Sequence, residues 1–573
     1  MEYSAIIHYA EKKYCYAYEK NGICIRIQVK KGDMKRVVLH CQEKYIPVSF
    51  MDTRNSMEMT LLSSTEYSDI YEARFSCQVV CLRYFFELTD REGETRYYGN
   101  HAFYEEEITD VDRMFDYPQT LREEESFHTP DWAKNKVVYQ IFPARFATDQ
   151  EIDPEVWYQA PVHHDTDLKG NLRGIINHLG YLKDLGVDIL YLTPIFQSSS
   201  THKYNIEDYY KIDPGFGTKE DLQELVDKAH NLGLRVILDG VFNHTSIDFF
   251  AFRDIREKEA ASSYLNWYYI ENFPLQLEWG QRPNFKCFSY ANKMPKLNLS
   301  NPDTADYFIQ VAKYWIRECH IDGWRLDVAD EIGHAFWRRF RREVKEEFPE
   351  TLIVGEIWHY AGDFLEGDQW DSVMNYHFYR SVLDLVVENR ISVSQFAGQL
   401  SFMKGNVHEE VYPVLWNLID SHDTARFLHS CGGDKGKLRL AAALQLLLPG
   451  MPMLYYGDEV GMEGGPDPDC RRGMLWEESR QDGAMLAWYQ TLLRLRREER
   501  SLTEGRLSRI DTDDEQGLLI IEREDSSENA QRKIVFHCKK GSVKLPQYEG
   551  LQDLITGDAF SGELGDYQVA VLK

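Results

Sequence analysis

Four short polar stretches of the chain hold side chains able to move protons and attack carbon. They are Asp239-Gly240-Val241-Phe242-Asn243-His244, Arg325-Leu326-Asp327, Gly355-Glu356-Ile357-Trp358 and Ser421-His422-Asp423. Each ends or follows a short apolar run with the character of a buried strand. A single acid after a strand usually caps the next helix or meets solvent. Three acids brought to one axis differ, because Asp327, Glu356 and Asp423 would then form a set suited to cleaving an acetal. One carboxylate attacks the anomeric carbon, and a second carboxyl protonates the departing oxygen. A third binds ring hydroxyls and steadies the oxocarbenium-like state. The donor must hold its proton near neutral pH, which burial or a neighbouring anion achieves. Arg325 stands two residues before Asp327, so on a strand both side chains share a face. Its fixed charge would keep Asp327 ionised. His244 and His422 would bond sugar hydroxyls without adding negative charge; the competing reading of each is a satisfied structural histidine.

The elements needed to bring these residues together are legible as eight short apolar runs. They start at Val137, Ile189, Arg235, Gly323, Leu352, Ser372, Val414 and Pro452. Amphipathic helical patterns separate most of them, for example Lys219 to Leu232 and Thr304 to Cys319. Buried strands alternating with helices predict a closed (β/α)₈ TIM barrel over residues 130–243 and 301–504, with its functional face at the strand C-termini. Residues 244–300 are too long and irregular for one connection and read as a lobe inserted after the third strand. Residues 1–120 read as an N-terminal β-sandwich, with strand runs at Cys24 to Val29 and Val79 to Phe86. Turn-like segments at Lys31-Gly32-Asp33 and Asp90-Arg91-Glu92-Gly93 separate its strands. The stretch Leu121 to Ser126 reads as a linker, with Thr129 to Trp132 as the point of re-entry. Residues 505–573 return to strand runs and predict a C-terminal β-sandwich.

Bulk properties narrow the partners. The net charge is −28, and no long basic run occurs. Such a surface repels phosphate backbones and anionic membranes, whereas a neutral carbohydrate is compatible with it. Aromatics make up 13% of the chain, enough to fill cores or to stack on sugar rings. The ten cysteines are scattered without CxxC pairs or zinc-ligand spacing, which favours unpaired thiols in a reducing compartment. The N-terminal segment has no apolar signal-like run, and no stretch is apolar enough to span a bilayer. A soluble, cytoplasmic protein is expected.

The four polar stretches, extended to Gly323–Ala329, Gly355–His359 and Ser421–Thr424, resemble the α-amylase clan of glycoside hydrolases in order and strand context. The resemblance covers roughly residues 130 to 500. It implies Asp327 as nucleophile, Glu356 as general acid/base and Asp423 as transition-state stabiliser. Met294-Pro295-Lys296-Leu297-Asn298 resembles the marker of the neopullulanase, cyclomaltodextrinase and maltogenic amylase subgroup. In that subgroup a starch-binding-like sandwich precedes the barrel and reaches across a homodimer to narrow the partner's cleft. The resemblance further implies Tyr204 as a ring stacking on the sugar, Asp467 and Arg471 as binders of the next glucose, and Trp358 as an acceptor-side contact. The chain departs from the family at Asn205-Ile206, Asp330, Gly333 and Ala425, around the acceptor side.

No Gly-rich nucleotide loop is present, so no organic cofactor is expected. A calcium ion would need about six to eight oxygens. Asp149 and Asp153, with carbonyls near Gly170 and Asn171, could take part in holding calcium, but too few oxygens are visible, so calcium is only weakly supported and no metal is assigned. The resulting expectation is retaining hydrolysis of α-1,4-glucosidic bonds in cyclodextrins, pullulan and maltooligosaccharides. The alternatives are transglycosylation or α-1,6 cleavage by the same triad, and a non-catalytic glucan-binding barrel.

Overall fold

The computed structural model describes residues 1–19, 22–45, 55–77, 81–118, 127–278 and 280–573. Eight parallel strands close into a barrel: β1 (Val138–Ile141), β2 (Ile189–Leu192), β3 (Arg235–Gly240), β4 (Gly323–Leu326), β5 (Leu352–Ile357), β6 (Ser372–Asn375), β7 (Trp416–Leu418) and β8 (Met451–Tyr455). β8 pairs back onto β1 and closes the ring. Apart from Arg235, every strand residue is buried, as expected where helices cover one face and the barrel interior the other. Tyr191, Ile237, Val354, Met374 and Trp416 belong to one apolar cluster with residues of the other strands.

Local chemistry sets where the barrel helices begin. Helix Lys219–Asn231 starts at a capping box, Thr218 and Asp221 each bonding the other's backbone N–H. Helix Pro302–Cys319 starts two residues earlier than the apolar pattern suggests. Asn301 caps it through Thr304 N–H, and Pro302 occupies the first turn, where its missing N–H costs nothing.

The lobe after β3 contains helix Phe250–Lys258 and returns along the marker stretch. There Lys296 bridges opposite His244, and Leu297 N–H donates to Asn243 O at 3.0 Å. This pairing ties the lobe to the C-terminal end of β3.

After the barrel come four antiparallel strands, Arg506–Asp513, Leu518–Asp525, Ala530–His537 and Val569–Leu572, and a ribbon of Val543–Lys544 with Glu563–Leu564. Val535, Leu545, Phe560 and Leu572 share their apolar core.

A separate compact unit comprises Met1–Thr129 with Gly362–Gly367 and Ser392–Tyr412. Its described strands form two antiparallel sheets. Gly22–Lys30 lies central in one and Leu82–Asp90 in the other, with Ile25, Ile27, Leu39, Tyr84 and Phe86 in the core. The run expected from Val79 to Phe86 therefore begins, where described, at Leu82 and extends to Asp90; Val79 and Val80 lie outside the described residues. So does the expected linker Leu121 to Ser126. Helix Val393–Asn406 belongs to this unit. Its Gly398 and Gly405 permit close approach: a Cβ at Gly405 would lie 2.4 Å from Ile70 Cδ1.

Among the described residues, no disulfide joins any two of the ten cysteines. Among the described residues, no helix is long and apolar enough to cross a membrane.

Candidate active site

The site is built around one guanidinium. Asp239 on β3 and Arg325 on β4 are register partners, so both side chains enter the barrel mouth. Arg325 Nη1 donates to both Asp239 oxygens and to Asp327 Oδ1, each at 3.0 Å. Its Nη2 lies 2.8 Å from Glu356 Oε2. One cation thus faces three buried carboxyl groups. Burial works against the charge on Arg325, but Asp239 and Glu356 outweigh it and hold the guanidinium protonated. Burial, and after it the charge of Glu356, pushes Asp327 well above the usual carboxylate range, with Arg325 offsetting only part. Arg325 does favour the ionised form of Asp327, but its single charge is divided among three acids and offsets only part of the burial. Asp239 is raised to about 6, again by burial first, against the pull of Arg325 and Tyr191.

The turn after β4 connects two of the expected site residues. Val328 adopts φ 45°, ψ 45°, a left-handed conformation rare for a β-branched side chain. Its N–H donates to Glu356 Oε2 at 2.9 Å. On the other side, Trp358 Nε1 donates to Glu356 Oε1 at 3.0 Å. The Trp358 ring stacks 4.0 Å from Tyr376, yet the residue remains 51% exposed.

Gly355 leaves the space that lets β5 run close to Trp370, since a Cβ there would sit 2.4 Å from Trp370 Cε3. Gly355→Ala is therefore expected to cost about 1–3 kcal/mol of stability by overpacking. Urea unfolding measures it, and an unchanged midpoint would show that Trp370 yields freely.

Beyond β7, His422 is fully buried. Gln140 Nε2 lies 2.7 Å from its Nδ1, and Tyr204 Oη lies 2.6 Å from its Nε2. Tyr204 in turn donates to Asp239 Oδ2 at 3.0 Å, and its ring lies parallel to the imidazole. Burial, then the charges of Arg471 and Arg325, push His422 well below its usual range, so the ring is neutral. Arg471 Nη2 donates to Asp423 Oδ1 at 3.1 Å, and its Nη1 lies 2.9 Å from Asp467 Oδ1. His244 is buried and lowered to about 3, by burial first and then Lys296. Its Nε2 has no hydrogen-bond partner among the described residues, while Phe288 stacks on its ring.

A cavity of 450 Å³ gathers these groups. Asp327, Glu356, Asp423, Tyr204, His244, Trp358, Asp467 and Arg471 all line it. Arg325 and His422 do not; each bonds a lining side chain from behind. The sequence reading did not place His164, His202, Phe288 or Val328 at the site, gave Met294 only within a marker and Asp330 only as a departure on the acceptor side, and gave no role to Asp239, Gln140 or Tyr191. Asp239 carried a usable signal, since it ends its strand as Asp327 ends the next. Phe288 carried none, because an irregular lobe delivers it.

The residues weighed for calcium are otherwise engaged. Asp149 accepts from Asn171 Nδ2 at 2.7 Å, and Asp153 caps helix Pro154–Trp157 through Glu155 N–H. Among the described residues, no three acidic, histidine or cysteine side chains gather where they could hold a metal ion.

The comparisons with known proteins agree with this geometry. The alpha amylase catalytic domain model matches residues 140–500, and the alpha amylase N-terminal ig-like domain model matches residues 1–120. The chain is 41% identical to neopullulanase 2 of Thermoactinomyces vulgaris, over 99% of this chain and 97% of that protein. It is 39% identical to a cyclomaltodextrinase of a Bacillus species, over 91% and 94% of the respective lengths. A solved cyclomaltodextrinase structure superposes with a TM-score of 0.92 at 36% identity, covering 100% of both chains. With that barrel, that N-terminal domain and these relatives, the chain belongs to the α-amylase family of glycoside hydrolases, in the group of neopullulanases and cyclomaltodextrinases.

Proposed function

We propose that the protein hydrolyses α-1,4-glucosidic bonds in cyclodextrins, pullulan and maltooligosaccharides with retention of configuration. The observation that carries this reading is the convergence of Asp327, Glu356 and Asp423 on one cavity whose other polar groups could hydrogen-bond hydroxyls. In the reaction Asp327 attacks the anomeric carbon while Glu356 gives its proton to the departing oxygen. Water, deprotonated by Glu356, then cleaves the glycosyl–Asp327 ester. The Val328 N–H bond and the shared guanidinium tether Glu356 close to Asp327. Such tethering favours the spacing of about 5–5.5 Å used by retaining enzymes over the wider one of inverting enzymes. Asp423, fixed by Arg471, is assigned to ring hydroxyls and the developing charge. His244 is assigned to a hydroxyl through its unpartnered Nε2, and Tyr204 to stacking on the sugar. Asp467 and Arg471 are assigned to the next glucose. No metal or organic cofactor enters any step.

Glu356 stands on the leaving-group side, so its neighbour Trp358 is the natural platform for an acceptor sugar. The exposed ring favours transglycosylation as a second activity at high acceptor concentration. We further assign the protein to the cytoplasm, supported by its cysteines, none of which forms a disulfide among the described residues, and to a homodimer in which the N-terminal domain narrows the partner's cleft. The test compares initial reducing-sugar release from β-cyclodextrin, pullulan and soluble starch, with Asp327→Asn as control. A cyclodextrin preference abolished in the variant is expected. Starch cleaved as fast as cyclodextrin would remove the narrowed cleft, and full activity in Asp327→Asn would remove the nucleophile.

A further inference from the structure

A second concavity, of 760 Å³, lies on the outside of the barrel, between helices Lys435–Leu447 and Gly483–Glu498 and the C-terminal strands. It exceeds the 450 Å³ of the candidate active site and shares no residue with it. Nothing in the proposed reaction uses it.

Three features of its lining are chemically specific. First, Trp488 is pinned by its Nε1, which donates to Arg439 O at 3.0 Å, leaving the half-buried indole as a fixed wall. Second, the Arg439 guanidinium makes no ion pair among the described residues, and its Nε is buried without a hydrogen-bond partner. The guanidinium lines the groove without a protein acceptor among the described residues, so a ligand oxygen in the groove would supply one. Third, Tyr567 holds a left-handed backbone, φ 52°, uncommon for an aromatic residue. That backbone sets the ring against Gly436, where a Cβ would lie 3.6 Å from Tyr567 Cδ2. Asp558 and Glu563 line the same groove without pairing to Arg439.

This combination selects a ligand class. Carboxylates outnumber the cation, and the chain's net charge is −28, so an anionic ligand is repelled. A purely apolar ligand would leave Arg439 and the acids unmatched. A neutral polyhydroxyl chain satisfies both: its oxygens accept from Arg439, its hydroxyls donate to Asp558 and Glu563, and its C–H faces lie on the rings of Trp488 and Tyr567.

We propose that this groove is a second α-glucan-binding site, holding a segment of a long substrate outside the catalytic cleft. The proposal rests on the glucan reading above. A non-reacting anchor raises the local concentration of the remaining chain at the cleft, so it affects polymers and not short substrates.

The test uses calorimetric titration of the Asp327→Asn protein with maltoheptaose, which that variant binds without turnover. Two binding events per chain are expected. Adding Arg439→Ala and Tyr567→Asn should leave one; Asn tolerates the left-handed backbone, so the fold is retained. In the active enzyme the same two changes should leave kcat and KM for maltotriose unaltered. They should raise KM for amylopectin about three- to tenfold, the worth of one aromatic contact. A single event in Asp327→Asn, or two events persisting in the triple variant, overturns the proposal while leaving the glucan reading intact. Absence of any binding, together with inactivity on maltotriose, overturns both.

Discussion

Glu356→Gln is expected to lower kcat on maltooligosaccharides by roughly 10²–10⁴-fold while leaving the first-turnover burst of fluoride from α-maltosyl fluoride near the wild-type rate; later turnovers slow, because Glu356 also deprotonates the water that frees Asp327. Fluoride departs without a proton, so its loss does not need the acid that the glucosyl oxygen needs. Glutamine keeps the shape that accepts Val328 N–H and faces Trp358 Nε1. The pH profile adds a second readout. Asp327 must be ionised to attack, so activity falls as pH drops through its pKa. Burial, the larger cause of its raised value, persists in the variant. The acid limb should therefore stay above the ordinary range of an aspartate in both proteins. The alkaline limb behaves differently. In the wild-type reaction on oligosaccharides the proton given to the departing oxygen must be present, so activity falls at high pH once it is lost. With fluoride as leaving group and Gln at 356 there is no such proton to lose, and the limb should vanish. Loss of the fluoride burst as large as the loss on oligosaccharides would show that Glu356 does not act as the acid.

The fold was largely open to reading because each barrel strand is short, apolar and buried on both faces. Val138–Ile141 and Ile189–Leu192 are recognisable without any knowledge of their neighbours. Residues that end such strands inherit a position at the barrel mouth, which is why Asp327, Glu356, Asp423 and His422 could be grouped before their contacts were known. The residues missed depend on different physics. Gln140 sits within β1 as one more buried position, and only the placement of His422 gives its amide a partner. Phe288 reaches the cavity through an irregular segment in which Ser289 and Tyr290 both take positive φ, a path no periodicity encodes. Val328 looks like an ordinary apolar residue in sequence, and its strained backbone follows only from the need to aim an N–H at Glu356. How far Arg325 offsets the burial of Asp327 is hidden from the sequence for a related reason: the packing gives the guanidinium Asp239 and Glu356 as well.

That sharing makes Arg325→Met the substitution with the largest expected effect on stability. Methionine matches the length and lies readily beside Met374, whose sulfur now receives the Arg325 Nε–H at 3.3 Å. It removes the charge and leaves three buried carboxyl groups facing one another. Breaking a buried ion pair from one side costs about 3–5 kcal/mol, and here one cation serves three acids. The direction of the pH dependence follows from linkage. Asp239 and Asp327 already bind protons more tightly in the folded protein than when unfolded, because of burial. Loss of the guanidinium raises both further. A carboxyl with a raised folded-state pKa contributes stability that is complete below its unfolded pKa and is lost as pH rises through the folded value. The deficit of Arg325→Met against wild type should therefore be small near pH 4. It should grow through about 6, the wild-type position of Asp239, and be largest at neutral pH and above. Arg325→Lys should fall between the two, since an ammonium carries the charge but cannot reach all three acids from one place. Urea unfolding of the three proteins across that pH range measures the pattern. A deficit equal at every pH would mean that lost packing, and not unshielded charge, is what the substitution removes.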